Sequence, residues 1–246
     1  MKILLVGASG FIGSNIAVAL QRTGHKVHAV SRRNGIDCTQ MLTPEDWLPL
    51  LDNIEAVINA VGIIGEHGAQ RFAPLHTDSP IALFKACEQS GIRRVIQISA
   101  LGADHTAFSN FHLSKRKADD FLQTLDLDWF VLRPSLVYGR DGKSTQLFMR
   151  MASLARIPVI ADGQQTLQPI HINDVVATVL LALTTSESKQ VIDLVGTETF
   201  TFVQWLQFMR QAQGLKPARL LRCPFPLAIS FAYLARYFNP IFQTEN

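Results

Sequence analysis

Three glycines carry the first recognisable chemistry in this 246-residue chain: Gly7, Gly10 and Gly13, behind the strand-compatible run Lys2–Val6. Gly7 permits a tight turn, Gly10 lets a pyrophosphate approach the backbone, and Gly13 lets the following helix pack against the strand. The free N–H groups and positive dipole end of that helix would face the phosphates. A plain strand-to-helix turn without a ligand is the competing reading. Ile12, Ile16, Ala19 and Leu20 stand at helical spacing just beyond, which favours the ligand site. The segment therefore predicts dinucleotide contacts from Gly7, Ser9, Gly10, Phe11, Ile12 and Gly13.

A second signal is Ser31-Arg32-Arg33, at the end of the predicted strand Lys26–Val30. An acidic residue here would bind the ribose hydroxyls of NAD, whereas arginine accommodates the extra phosphate of NADP. No Asp or Glu is present, and two guanidinium groups stand ready for bidentate contact, so NADP is expected over NAD. Asp37 and Cys38 fall on a short candidate strand, residues 36–38, where Asp37 would either meet an adenine amine or cap a loop. Ala60, Val61 and Gly62 are small or slender enough for backbone to lie flat against the cofactor.

These residues need a frame. Strand-like runs at 2–6, 26–30, 55–59, 94–98 and 129–133 alternate with helix-like stretches at 43–51, 77–89 and 110–122. Such alternation gives an α/β fold with a doubly wound parallel sheet of the Rossmann kind. Ligands bind beyond the carboxyl ends of its strands. Gly7, Arg32, Asp37, Ala60 and Ser99 all lie at such ends.

Composition adds exclusions. A net charge of +3 gives no reason to propose nucleic acid. Cys38, Cys87 and Cys223 are far apart, with no CxxC spacing, which suits buried free thiols in a reducing, cytoplasmic setting and no metal site. The N-terminus reads as a core strand and not a signal peptide, and Met1 is so near the motif that little is expected before it. No uninterrupted apolar run is long enough to span a bilayer.

At FHLSK (111–115) and LRPSLVYG (132–139) a family resemblance joins this reading. With GASGFIG (7–13), NAVG (59–62), ISALGA (98–103) and QPIHINDV (168–175), the chain resembles the extended and atypical short-chain dehydrogenase/reductases. That group contains sugar-nucleotide epimerases and the nine-type accessory subunit of complex I. The chain looks most like bacterial members related to that subunit, some of which carry further C-terminal membrane helices. The resemblance implies a Tyr four residues before a Lys on one helix face, the ammonium lowering the phenol pKa and anchoring the nicotinamide ribose. Lys115 is present, but Phe111 holds the Tyr position. Losing such an acid or base costs about 10²–10⁴ in rate. His112 would point about a quarter-turn away, and Tyr138 belongs to a structural turn. Ser99 is the nearest hydroxyl to a catalytic Ser or Thr, and by resemblance Pro134 and Ser135 back the nicotinamide.

Residues 1–142 are thus expected as the dinucleotide-binding domain, with returns near 168–184, and residues 143–246 as a smaller α/β substrate lobe. The lobe should hold a helix at 145–155, a strand at 158–160, a helix at 175–183 capped by Asn173-Asp174, a strand at 190–194 and a helix at 201–211. His171, between two isoleucines, reads as a hydrogen-bonded structural residue. The apolar segment 224–242 would pack into the lobe or act as an interfacial or partner-docking helix, and the end at Asn246 suits a natural stop or a cut before another domain. Three functions compete: an NADP(H)-binding sensor, scaffold or assembly factor, or altered reductase, without the usual Tyr; an active NADP-dependent oxidoreductase or nucleoside-diphosphate-sugar epimerase; and a membrane-associated interaction protein. The small-molecule substrate is not legible.

Overall fold

The computed structural model describes residues 1–160 and 162–223. Nine elements come first: β1 (Lys2–Val6), α1 (Phe11–Arg22), β2 (Lys26–Val30), α2 (Pro44–Trp47), β3 (Ala56–Asn59), α3 (Ser79–Gln89), β4 (Arg94–Ile98), α4 (Asn110–Gln123) and β5 (Asp128–Pro134). Then follow β6 (Val137–Tyr138), α5 (Lys143–Ser153), β7 (Arg156–Ile160), β8 (Thr166–Leu167), β9 (Ile170–His171), α6 (Ile172–Thr184), β10 (Gln190–Leu194), β11 (Phe200–Thr201), α7 (Phe202–Ala212) and β12 (Arg219–Cys223).

The large sheet has the order β10-β5-β4-β3-β1-β2, and every pairing in it is parallel. Strand periodicity sends alternate side chains to opposite faces. Leu4, Val6, Val57, Val95 and Val131 pack with Trp47, Leu83, Phe84, Ala118 and Leu122. Ile3, Leu5, Ile58, Ile96 and Phe130 pack with Ile16 and Leu20 of α1 and Val175, Val179 and Leu183 of α6. Both faces are therefore buried, as a parallel sheet requires. The strand order turns back at β1, which pairs with β2 on one side and β3 on the other, and the crevice for a ligand opens there.

Two compact units result: Met1–Gly139 with Pro169–Gly196, and Arg140–Gln168 with, among the described residues, 197–223. Within the second unit, Ile157, Val159 and Leu206 form a small core, β7 pairs with β12 in parallel, and β8 pairs with β11 antiparallel. Thr201 and Gln204 form a capping box at the start of α7.

Several expectations are corrected. Residues 36–38 are not a strand: Asp37 Oδ1 accepts from Thr39 N and caps a single 3₁₀ turn, Cys38–Gln40. Helix α2 is one turn long, with the Thr43–Asp46 capping box at its start and the 3₁₀ turn Leu48–Leu50 behind it. The helix expected from 77 begins instead as a π-type stretch, Ala73–Asp78, before α3. Asn173-Asp174 is not the cap of α6; His171 is, its Nδ1 accepting from Asn173 N at 3.2 Å. Strand β10 belongs to the large sheet's unit and not to the smaller one, because it pairs with β5 in parallel register. The apolar segment 224–242 lies outside the described residues. Among the described residues, no helix is long and apolar enough to cross a membrane.

Candidate functional site

The glycine turn is built as tightly as its spacing implies. Gly7 sits at φ +83°, and a Cβ there would lie 2.7 Å from the Ala60 carbonyl carbon. A Cβ on Gly13 would lie 2.2 Å from Gly7 O, so only glycine lets α1 come this close to the turn. The N–H groups of Gly7 and Ala8 both donate to Val30 O, which ties the turn to the end of β2. Gly10 is the N-cap of α1 with no side-chain cap, and the first turn contains no acidic residue. An uncapped, acid-free helix N-terminus behind a glycine cradle fits a pyrophosphate. Ser9 and Gly10 are exposed at the tip, Phe11 and Ile12 are half-buried, and Gly13 is buried.

At the end of β2, Ser31 is buried, its Oγ paired with Asn34 Oδ1 at 2.5 Å. Arg32 and Arg33 lie exposed on the 3₁₀ turn Arg32–Asn34, and neither enters an ion pair among the described residues. Asp37 caps the neighbouring 3₁₀ turn through Oδ1 alone, accepting from Thr39 N. Cys38 is buried, and that burial, with Asp37 beside it, pushes its thiol up to about 12, so it is inert at neutral pH.

The ends of β3 and β4 meet at Lys115. Its ammonium is buried and donates to Val61 O at 2.9 Å and Ile98 O at 3.0 Å, joining the ends of β3 and β4. A Cβ on Gly62 would lie 3.1 Å from the same Nζ, so Gly62 keeps that approach open. Burial lowers the Lys115 pKa to about 8, with Asp119 opposing the shift. Asp119, one turn on along α4, has no exposed surface. Burial raises it to about 7, offset by the Ser99 hydrogen bond, Lys115 and Arg133. Arg133 Nε stands 3.9 Å from Asp119 Oδ2. Ser99 donates its hydroxyl to this carboxylate and is buried.

Phe111 is half-buried in an aromatic cluster. Phe72, His76 and His112 surround it edge-on, with ring centroids 5.9, 5.5 and 5.0 Å away. His76 is fully buried: Nε2 accepts from Ile63 N, and Nδ1 pairs with Ser114 Oγ at 3.0 Å. Ser114 Oγ donates in turn to Phe111 O at 2.7 Å. Burial, aided by Lys115, holds His76 down near a pKa of about 3, so it is neutral across the physiological range. His112 Nδ1 pairs with Ser109 Oγ at 2.7 Å, and its ring lies 3.6 Å from where a Gly102 Cβ would be. Tyr138 packs edge-on against His171, 5.1 Å between centroids, on the β6–β9 pair. Pro134 O accepts from Leu101 N and Ser135 N donates to Leu194 O, so both residues fix the loops beyond β5.

The structure thus brings Gly7, Ala60, Val61, Gly62 and Lys115 together at the ends of β1, β3 and β4, with Arg32 and Arg33 beyond the end of β2. Sequence reasoning missed His76, Asp119, Arg133 and the pair Asn59–Gln97, whose side chains bond at 2.8 Å beneath it. Asp119 did carry a signal, standing four residues after Lys115 on one helix face. His76 carried none.

A parallel doubly wound sheet with this crevice defines a dinucleotide-binding α/β protein. Comparison with known proteins narrows the class. A model of the NAD dependent epimerase/dehydratase family matches residues 3–195, and the chain belongs to that family. It is 25% identical to a ceramide reductase from Caulobacter vibrioides over 258 residues, covering 99% of this chain and 80% of that one. It is 27% identical to the mitochondrial NADH dehydrogenase [ubiquinone] 1 alpha subcomplex subunit 9 of Arabidopsis thaliana, covering 92% of this chain but only 61% of the plant protein. Among solved structures, UDP-glucuronic acid 4-epimerase from Bacillus cereus in complex with NAD superposes with a TM-score of 0.76 at 21% identity, covering 91% of this chain and 86% of that one. UDP-N-acetylglucosamine 4-epimerase from Bacillus cereus also gives 0.76, at 18% identity, covering 90% and 85%. Those two likenesses bear on the fold alone.

Proposed function

We propose that this chain binds NADP(H) in the crevice described and has given up the ordinary tyrosine-based proton transfer of its family. It would act as a cofactor-dependent sensor, scaffold or assembly factor, or as a reductase with altered acid/base chemistry. One observation carries the reading: Phe111 stands four residues before the buried Lys115, and among the described residues the nearby hydroxyls of Ser99 and Ser114 are engaged elsewhere. Ser99 donates a hydrogen bond to Asp119, and Ser114 donates one to Phe111 O. When bound, the dinucleotide would supply hydride chemistry. The glycine turn would hold its pyrophosphate, Lys115 would approach its nicotinamide ribose, and Arg32 or Arg33 would meet the 2′-phosphate. The resemblance to subunit 9 of the plant NADH dehydrogenase supports a role within a larger assembly.

A second reading is an active oxidoreductase using His112, and it is favoured by the Ser109–His112 pair, which orients the imidazole beside Phe111. Titration with NADPH and NADH, beside Arg32→Ala, tests the cofactor assignment. NADPH should bind at least about tenfold tighter than NADH, and the variant should remove most of that preference. Equal affinities would overturn the NADP assignment. Phe111→Tyr tests the rest: if the native chain already turns over a carbonyl substrate and Tyr adds nothing, the view of Phe111 as a lost acid is wrong.

A further inference from the structure

We propose that the site takes an amphiphilic, lipid-like substrate, its carbonyl or hydroxyl end in the Lys115 crevice and its hydrocarbon chain over the rim of the larger unit, rather than a nucleotide sugar. The proposal rests on the dinucleotide reading only for where the polar end lies. Two loops follow the adjacent strands β3 and β4, residues 60–72 and 99–109. They carry the two most exposed large hydrophobic side chains among the described residues: Ile64 at 81% and Phe108 at 90%. Leu101, at 37%, joins them on the second loop. Single exposed apolar residues are ordinary on a protein surface, but these three stand on the two loops that leave the strand ends where this fold binds ligands.

The second loop is held in place and not merely extended. Leu101 N donates to Pro134 O, Gly102 turns at φ +84° against the His112 ring, and Ser109 caps α4. Phe108 is therefore presented to solvent immediately before the helix that carries Phe111 and Lys115. Behind the rim, Phe72, His76 and Phe111 form an aromatic wall whose polar atoms point inward.

The charges of these loops do not suit a diphosphate. They hold two carboxylates, Glu66 and Asp104, against one guanidinium, Arg71. Arg71 stands 4.0 Å from Glu66, whose other oxygen accepts from Phe72 N, and Asp104 accepts from both the N–H and hydroxyl of Thr106. A nucleotide sugar would meet carboxylates and hydrocarbon here, and an acyl chain would cover both apolar side chains. Each methylene so buried strengthens binding about fourfold.

Calorimetry on the NADPH-saturated full chain tests this, with a twelve-carbon 3-oxo amide, its four-carbon analogue and UDP-glucose as probes, each below its aggregation concentration. The twelve-carbon probe should bind at least about 30-fold tighter than the four-carbon one, the effect of two to three buried methylenes. The double variant Ile64→Ser, Phe108→Ser should lose about tenfold of that affinity with NADPH binding and melting temperature unchanged, since both side chains are exposed. Equal affinity for the two chain lengths, tighter binding of UDP-glucose, or an unaltered variant would overturn the proposal. Variant-sensitive binding to phosphatidylcholine vesicles without a chain-length preference would also overturn it, assigning the rim to a membrane surface. Chain-length preference in a protein that binds no NADPH would sink the dinucleotide reading and leave the apolar substrate standing.

Discussion

His76 sets how the larger unit responds to acid. Its imidazole is neutral in the fold, accepting from Ile63 N and paired with Ser114 Oγ, and its pKa is lowered to about 3 by burial and by Lys115. In the unfolded chain it titrates near 6.5, so between those values the unfolded state binds more protons and stability rises with pH. The contribution is complete above about pH 6.5 and is lost as pH falls toward 3. From pH 7 to 4.5 it should cost on the order of 2–3 kcal/mol. Asp119 pulls the other way: with its folded pKa raised to about 7, it favours the native state as pH drops from there toward the ordinary carboxylate range. Urea unfolding at the two pH values, compared between the native chain and His76→Gln, isolates the histidine. A variant with the same acid dependence as the parent would refute the assignment.

At the scale of elements, the strand–turn–helix unit β1–α1 separates two uses of glycine. Gly13 is required by packing, because a methyl there would sit 2.2 Å from Gly7 O. Gly13→Ala should cost at least about 2 kcal/mol of stability, since neither helix nor turn can withdraw without disturbing the sheet. Gly10 is different: it is exposed, has ordinary backbone angles (φ −76°, ψ 168°), and a Cβ there would lie 3.3 Å from Gly7 O. Gly10→Ala should therefore lose no more than about 1 kcal/mol, while weakening NADPH at least about tenfold, because its methyl occupies the approach of the pyrophosphate. Thermal unfolding and cofactor titration on the two variants give opposite rankings if this division is right. Identical losses of stability would show that Gly10 also serves packing.

At the scale of the whole molecule, the larger unit takes in chain from well beyond residue 142. Helix α6 lies beyond residue 142, yet it covers one face of the large sheet with Ile172, Val175, Val176, Val179, Ala182 and Leu183. At roughly 1.5–3 kcal/mol per buried side chain, that face is worth about 10 kcal/mol, comparable to the whole stability of a typical domain. A fragment ending at residue 142 also lacks β10 and leaves β5 as a bare edge. It should show no cooperative urea transition and should bind an apolar dye such as anilinonaphthalene sulfonate. A sharp transition matching that of the full chain would show the helix to be dispensable.

Local periodicity determined most of the parallel sheet, because its strands are short apolar runs bounded by turns, and the glycine spacing determined the cradle at the end of β1. The missing hydroxyl at Phe111 was equally plain, since a side chain without oxygen cannot be otherwise whatever surrounds it. Ile36-Asp37-Cys38 looked like a strand because three residues carry too little periodicity to distinguish an extended run from a capped 3₁₀ turn. The polar network was invisible for a different reason. Asp119, Arg133, Ser99, Gln97 and His76 are scattered over nearly sixty residues, and their pairings exist only once β4, β5 and α4 are packed. The tertiary structure likewise decided that β10 joins the large sheet, because strand pairing depends on which edge is free after the chain has crossed the smaller unit and come back.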